Sequence, residues 1–350
     1  MAAIFHPIIY DTIGRYVATF AKQTKYRLTE MKHKHLALWS LIQLQLTYEI
    51  SGRIWERIDS LPHMSPTDKN ELKSILNQLS EMAFPLFVAG MSGNPVHHNF
   101  QTVENIIDIL SYDDTSNYPL YKKAAILALL HDVGNGVVNP NLKKIKSSDI
   151  KDRREELEKQ KKNKEEIEEE INALSAQAEE YRDAHMKEGA NIARTILAVL
   201  NQSKTIVSKD DIEDIVFCIE KHDKPSIAEL RQEINRPYDR SHLIPLENDL
   251  ACLLREADRL WMVSKEGLEK DLFDDLRKGN KPDPCGKLWH NVNRFKEEYK
   301  LYTEAAGITE AEKRKFKNES LFRTEGGFKV CKRQVRQRLQ DFFETEFFDM

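Results

Sequence analysis

Cysteine is scarce and scattered in this sequence: four in 350 residues, Cys218, Cys252, Cys285 and Cys331, with no Cys-x-x-Cys pair among them. That pattern argues against a disulfide framework and a thiolate zinc site, and fits a reducing, cytoplasmic setting. An excess of one charge is also missing. Lysine and arginine total 53 against 57 aspartate and glutamate, a formal net charge of -4, so nucleic acid is not an expected partner. No run approaches the ~18 uncharged apolar residues of a membrane span. The stretch "MAAIFHPIIYDTIGRYVATFAKQ" is interrupted by Asp11 and Arg15 and lacks a small-residue cleavage site, so neither an export signal nor a membrane partner is expected. Strand signals are few as well. Nearly every periodic segment returns apolar residues at three and four positions, which predicts an all-α fold.

What is there can fill a core, since 40% of the residues are hydrophobic. Residues 1–92 read as an N-terminal helical region, with Leu72, Ile75, Leu79 and Met82 forming one stripe of "KNELKSILNQLSEMAF". "GMSGNP" then breaks the chain. Residues 93–265 read as a second unit, interrupted at 141–183 by a segment without glycine or proline whose first half is almost wholly charged. That half is expected to be a solvated helix, with pairs such as Glu155 with Lys159 and Glu158 with Lys162 at helical spacing. From Ile167 a stripe runs through Ile171, Leu174, Ala178 and Tyr181 to His185, in steps of four and three, so His185 belongs to the buried face. A short coiled-coil hairpin, packed on itself or on a second subunit, is the plain reading. Residues 266–350 read as a helical extension with a loop at "RKGNKPDPCGK" and an amphipathic tail at "RQVRQRLQDFFETEFF". Either the insertion or the tail is a candidate homo-oligomer contact.

The chemistry concentrates in "AAILALLHDVGNG". The apolar run Ala124 to Leu130 ends in His131 and Asp132, with Gly134 and Gly136 opening the backbone behind them. A helix C-terminal cap would explain such a pair. A divalent cation would also pair with it, because two buried metal-capable side chains are costly without a partner, though for the pair alone the cap is the plainer reading. The pair has company. "NPVHHNFQTVENIIDIL" places His97 and His98 at the start of a helix whose stripe is Phe100, Val103, Ile107 and Leu110; "YRDAHMKEGANIARTIL" carries His185 one turn before Gly189. "IEDIVFCIEKHDKPS" ends an apolar helix in His222, and "NDLACLLREADRLWMV" sets Asp258 among leucines, where an unpaired carboxylate is expensive.

The order His98, His131-Asp132, His185, His222, Asp258 resembles the HD-domain superfamily of metal-dependent phosphohydrolases, whose pattern is H…HD…H…H…D on a helical bundle. "LALLHDVGN", "HMKEGANIA", "CIEKHD" and "READRL" are similar to the segments around those ligands, over roughly residues 95 to 265. The resemblance implies an HD-type bundle in which His98, His131, Asp132 and Asp258 hold one divalent metal ion, with Asp132 bridging to a second held by His185 and His222. Mn, Fe, Co, Zn or Mg would serve. It further implies hydrolysis of a phosphoester, in a nucleotide or related small molecule, by a metal-activated water. In that picture Asp132 orients the nucleophile, and His97 or Lys187 neutralises phosphate or protonates the leaving oxygen.

Departures bear on the substrate. Many two-metal members carry Lys or His where this chain has Asn135, the expected substrate contact from that turn along with Lys187. A His-Asn-x-x-His element would need a histidine at Thr102, and the doubled histidine of the cyclic-dinucleotide branch is broken by Asp223 after His222. Two other readings share the ligand set: a di-iron oxygenase cleaving a C–C or C–P bond, and a nucleotide sensor without catalysis.

Overall fold

The computed structural model describes residues 32–90, 96–113, 116–138, 141–142, 144–145, 147–202, 206–223, 249–277, 283–305 and 324–348. The first 31 residues of the N-terminal region, the break at 92 and residues 278–282 of the predicted loop lie outside them. The fold is all-α, with no strand among the described residues. In chain order the helices are α1 Lys32–Ser60, α2 Pro66–Gly90, α3 Val96–Leu110, α4 Tyr118–Leu130, α5 Ser147–Lys159, α6 Lys164–Leu200, α7 Lys209–Lys221, α8 Asp249–Leu260, α9 Lys265–Arg277, α10 Pro284–Ala305 and α11 Glu325–Phe348. Short 3-10 turns follow α4 at Val133–Gly136 and α8 at Trp261–Val263. No helix among the described residues is long and apolar enough to cross a membrane.

The apolar stripes fall where their spacing put them. Leu72, Ile75 and Leu79 are buried in α2, and every residue from Ala124 to Leu130 is buried in α4. Helix α3 departs from the amphipathic expectation, because all fifteen of its residues are buried, polar ones included. It can be so because its polar side is satisfied by neighbours on all sides. The Asn99 amide donates to the Leu129 carbonyl at 2.9 Å and the Asn105 amide to the Ala257 carbonyl at 2.8 Å. Glu104 accepts from Arg53 Nε at 2.9 Å and from Arg57 Nε at 3.0 Å. Helices α1, α4, α8 and α11 all pack against α3.

One apolar core runs from Leu44 in α1 to Cys331 in α11. The divisions near 92 and 265 therefore mark breaks in the chain rather than separate cores. The C-terminal helix is part of the same body: Arg333 pairs with Asp108, and the Gln334 amide donates to Asn105 Oδ1 at 3.0 Å.

The charged insertion folds back on itself. Helix α5 and the start of α6 bury Leu157, Ile167 and Ile171 in a small cluster of their own. Cross-helix pairs hold its flanks, Arg153 with Glu170 at 2.5 Å, Arg154 with Glu168 at 2.6 Å and Lys162 with Glu170 at 3.2 Å. Asn163 caps α6 by accepting from the Glu166 backbone at 2.8 Å. The second half of the insertion and the His185 segment are then one continuous helix, α6, with Tyr181 and His185 buried on its inner face.

Candidate metal centre

Three helices end or begin at one point. His131 follows the last residue of α4 and His222 the last residue of α7, each at the C-cap position. His98 lies in the first turn of α3, His185 in the middle of α6 and Asp258 near the end of α8. The Val133–Gly136 turn wedges between α2 and α6. Glycine is required there by close approach: a Cβ on Gly134 would run into the His185 carbonyl, and one on Gly136 into the Leu86 carbonyl. That contact brings Asp132 against α6.

Asp132 is the hub. Its Oδ2 lies 3.5 Å from His98 Nε2 and 3.5 Å from His131 Nε2. Its Oδ1 lies 3.6 Å from His185 Nε2 and 3.5 Å from His222 Nε2. Asp258 Oδ1 joins the first group, 3.0 Å from His98 Nε2 and 3.8 Å from His131 Nε2. The two histidine rings of that group bring their Nε2 atoms to 3.3 Å. Donors about 2.1 Å from a shared ion stand ~3.0 to 3.4 Å apart when they are neighbours. These spacings are of that kind, and two buried triads, His98–His131–Asp132 and Asp132–His185–His222, qualify as cation sites. Imidazole and carboxylate, with no thiolate in either triad, suit Mn, Fe, Co and Zn best.

The rings are held from behind. His131 Nδ1 is 2.7 Å from the Ala128 carbonyl and His222 Nδ1 is 2.7 Å from the Ile219 carbonyl. His185 Nδ1 is 3.4 Å from the Tyr181 carbonyl. A carbonyl can only accept, so Nδ1 carries a proton in each ring and Nε2 is the nitrogen that faces the cluster. His98 Nδ1 has no such bond among the described residues.

Electrostatics follow from burial and from the carboxylates. Burial lowers His131 to about 4, with Asp132 opposing and His98 adding to the fall. Burial also lowers His185, against Asp132. At His222 burial is outweighed by the hydrogen bond and charge of Asp132, which raise it to about 9. Burial would raise Asp132 and Asp258, yet the surrounding imidazoles, joined at Asp258 by Arg259, hold both well below the usual carboxylate range.

Asp258, Asp223 and Arg259 are the most exposed side chains at the cluster, at 16%, 36% and 21%. Arg259 Nη1 lies 3.0 Å from Asp258 Oδ2 and its Nη2 3.9 Å from Asp223 Oδ1. Neither Arg259 nor Asp223 was singled out as a ligand or substrate contact from sequence. Their signal was adjacency, since each directly follows a ligand, Asp258 and His222.

Three of the expected substrate contacts stand in surroundings of their own. His97 is fully buried, its ring 5.2 Å from that of Trp261, and burial followed by the charges of His98 and Lys270 pushes it down to about 3. A neutral, inaccessible imidazole neither neutralises phosphate nor meets a leaving group. Lys187 is exposed on α6, two residues past His185, which on a helix is the far side. Asn135 is engaged within the protein: its Oδ1 accepts from the Tyr181 hydroxyl at 2.7 Å and its amide donates to the Asp132 carbonyl at 3.2 Å. It ties the turn to α6 rather than standing open to substrate.

Comparison with protein-family models, curated proteins and solved structures finds no match to this chain.

Proposed function

We propose that this protein is a metal-dependent phosphohydrolase acting on a small phosphoester, in a nucleotide or related molecule. The observation that carries this reading is Asp132, which turns one oxygen to each of two histidine pairs. His98, His131, Asp132 and Asp258 would hold one divalent ion, and Asp132, His185 and His222 a second. Such ions supply the Lewis acidity that activates water and stabilises the oxygens of a phosphoryl displacement. The chain's own part is to fix the donors through backbone-anchored rings and to meet the anionic substrate. Arg259, partly exposed and paired with Asp258 and Asp223, would be a cation for that contact.

The test is metal content of the purified protein, followed by phosphatase and phosphodiesterase substrates with Mn, Fe, Co and Mg. Asp132→Ala is expected to lower activity about a thousandfold, which corresponds to about 4 kcal/mol. Activity unchanged in that variant overturns the assignment.

One observation favours a second reading. With Asn135 turned to Tyr181, the turn behind Asp132 offers no basic group to a phosphate. The same donors suit two irons, with dioxygen as co-substrate and a C–C or C–P bond as target. Turnover that stops under strict anaerobiosis selects this reading, and turnover that continues selects hydrolysis.

A further inference from the structure

We propose that Asp223 is a fourth ligand of the second metal site, so that the cluster consists of two half-sites of like composition sharing Asp132. The inference rests on the metal-dependent reading of the cluster and concerns which side chains complete it. In the first half-site two imidazoles, one oxygen of Asp132 and one oxygen of Asp258 converge. The second triad has two imidazoles and the other oxygen of Asp132; a carboxylate in the place that Asp258 takes beside the first would make the two alike.

Asp223 is the carboxylate that borders His185. Its Oδ2 lies 4.0 Å from His185 Nε2, near the ~4.2 Å that separates two donors lying across an octahedral ion at about 2.1 Å each. Its backbone is fixed at that place, because the Asp223 N–H donates to Met186 Sδ at 3.4 Å and Met186 is the residue after His185 on α6. The outer carboxylates have the same kinds of partner, Asp258 at 3.0 Å on both sides and Asp223 at 4.0 and 3.9 Å. Asp258 turns Oδ1 inward to His98 and Oδ2 to Arg259 Nη1; Asp223 turns Oδ2 inward to His185 and Oδ1 to Arg259 Nη2. One guanidinium thus spans both outer acids, holding each with its other oxygen toward an imidazole. Charge supports the same count: two divalent cations are balanced better by three carboxylates than by two.

The experiment is titration of the metal-free full-length protein with Co(II), followed by calorimetry and by visible absorption, which reports ligand number independently of turnover. The wild type is expected to take up two ions. Asp223→Asn, which keeps a hydrogen-bonding partner for Arg259, is expected to retain one ion at wild-type affinity and to weaken the other at least about tenfold. Asp258→Asn is the mirror case, weakening the first ion, and Asp223→Glu restores part of what Asn loses. Two outcomes overturn the proposal: a second ion as tight in Asp223→Asn as in the wild type, or both ions weakened together. A wild type that binds fewer than two ions also overturns it. Two ions bound, one lost in Asp223→Asn, and no hydrolysis of any phosphoester would remove the phosphohydrolase reading and leave the ligand assignment standing.

Discussion

His131 and His222 each anchor one ring nitrogen to a helix end and turn the other into the cluster. Each sits at a helix C-cap and bonds by Nδ1 to the carbonyl three residues back, Ala128 or Ile219, at 2.7 Å. Those are carbonyls that the end of a helix leaves without an intrahelical partner. The same bond sets the tautomer and aims Nε2 into the cluster. Capping and metal binding, which look like rival explanations of "LLHD" in sequence, are therefore compatible in one arrangement. The neighbouring histidines of α3 divide the roles differently, and mutation separates them. His98→Gln is expected to remove one bound ion per chain, whereas His97→Gln keeps the full metal content, since His97 packs on Trp261 outside the donor groups. Mass-spectrometric metal counting on both purified variants checks this; equal losses would contradict the geometry. The candidate ligands were legible because each ends or interrupts an apolar helix, where a polar residue is conspicuous. Asp223 and Arg259 were not, because a charged residue beside a ligand at a helix end looks like ordinary solvated surface. The direction of Lys187 was legible in principle from its two-residue offset on a helix.

Among the elements, the α5–α6 hairpin shows how little core a helical pair needs when its turn is well formed. Lys162 N–H bonds the Leu157 carbonyl at 3.3 Å and Lys161 N–H the Glu158 carbonyl at 2.9 Å, the pairing of a Schellman turn. Its left-handed position is occupied by Lys161, at φ 58, where glycine would carry no Cβ penalty. Lys161→Gly is expected to stabilise the hairpin by about 0.5–1 kcal/mol. Because Leu157, Ile167 and Ile171 form a cluster separate from the main core, the gain is local. It is read by amide hydrogen exchange, slowed about two- to fivefold in α5 and the start of α6 and unchanged in α3. Uniform slowing across both would show instead that the hairpin unfolds only with the whole protein. The stripe from Ile167 to His185 carried the hairpin's buried face into the sequence. The partners of its charged side were hidden, because Arg153 and Arg154 reach across to Glu170 and Glu168 rather than along their own helix.

For the molecule as a whole, α3 is the axis on which the separate stretches of chain are joined, and its polar side does the joining. Arg53 of α1 holds Glu104 at 2.9 Å and Glu266 of α9 at 2.8 Å; Arg57 holds Glu104 at 3.0 Å and Asp108 at 2.8 Å; Arg333 of α11 closes on Asp108. No sequence pattern reveals such a network, since its members are tens to hundreds of residues apart and each alone resembles a solvated charge. The consequence is a pH-dependent clamp on the helix that carries His98. Burial raises Glu104, but the hydrogen bonds and charges of Arg53 and Arg57 outweigh it and hold the carboxyl below its usual value. A depressed folded-state pKa contributes stability that is present above the unfolded value, about 4.3, and is lost as pH falls through the folded one. Glu104→Gln breaks a pair whose acid is buried while its arginines are about one-third exposed, so the cost at neutral pH is discounted from the fully buried case to about 2–3 kcal/mol. Urea unfolding of wild type and variant between pH 7 and pH 3 measures it. The gap in stability should hold steady down to about pH 4.3 and then narrow as Glu104 of the wild type takes up its proton. A gap independent of pH would mean that Glu104 contributes by shape alone, and that the charges around α3 do not clamp the fold.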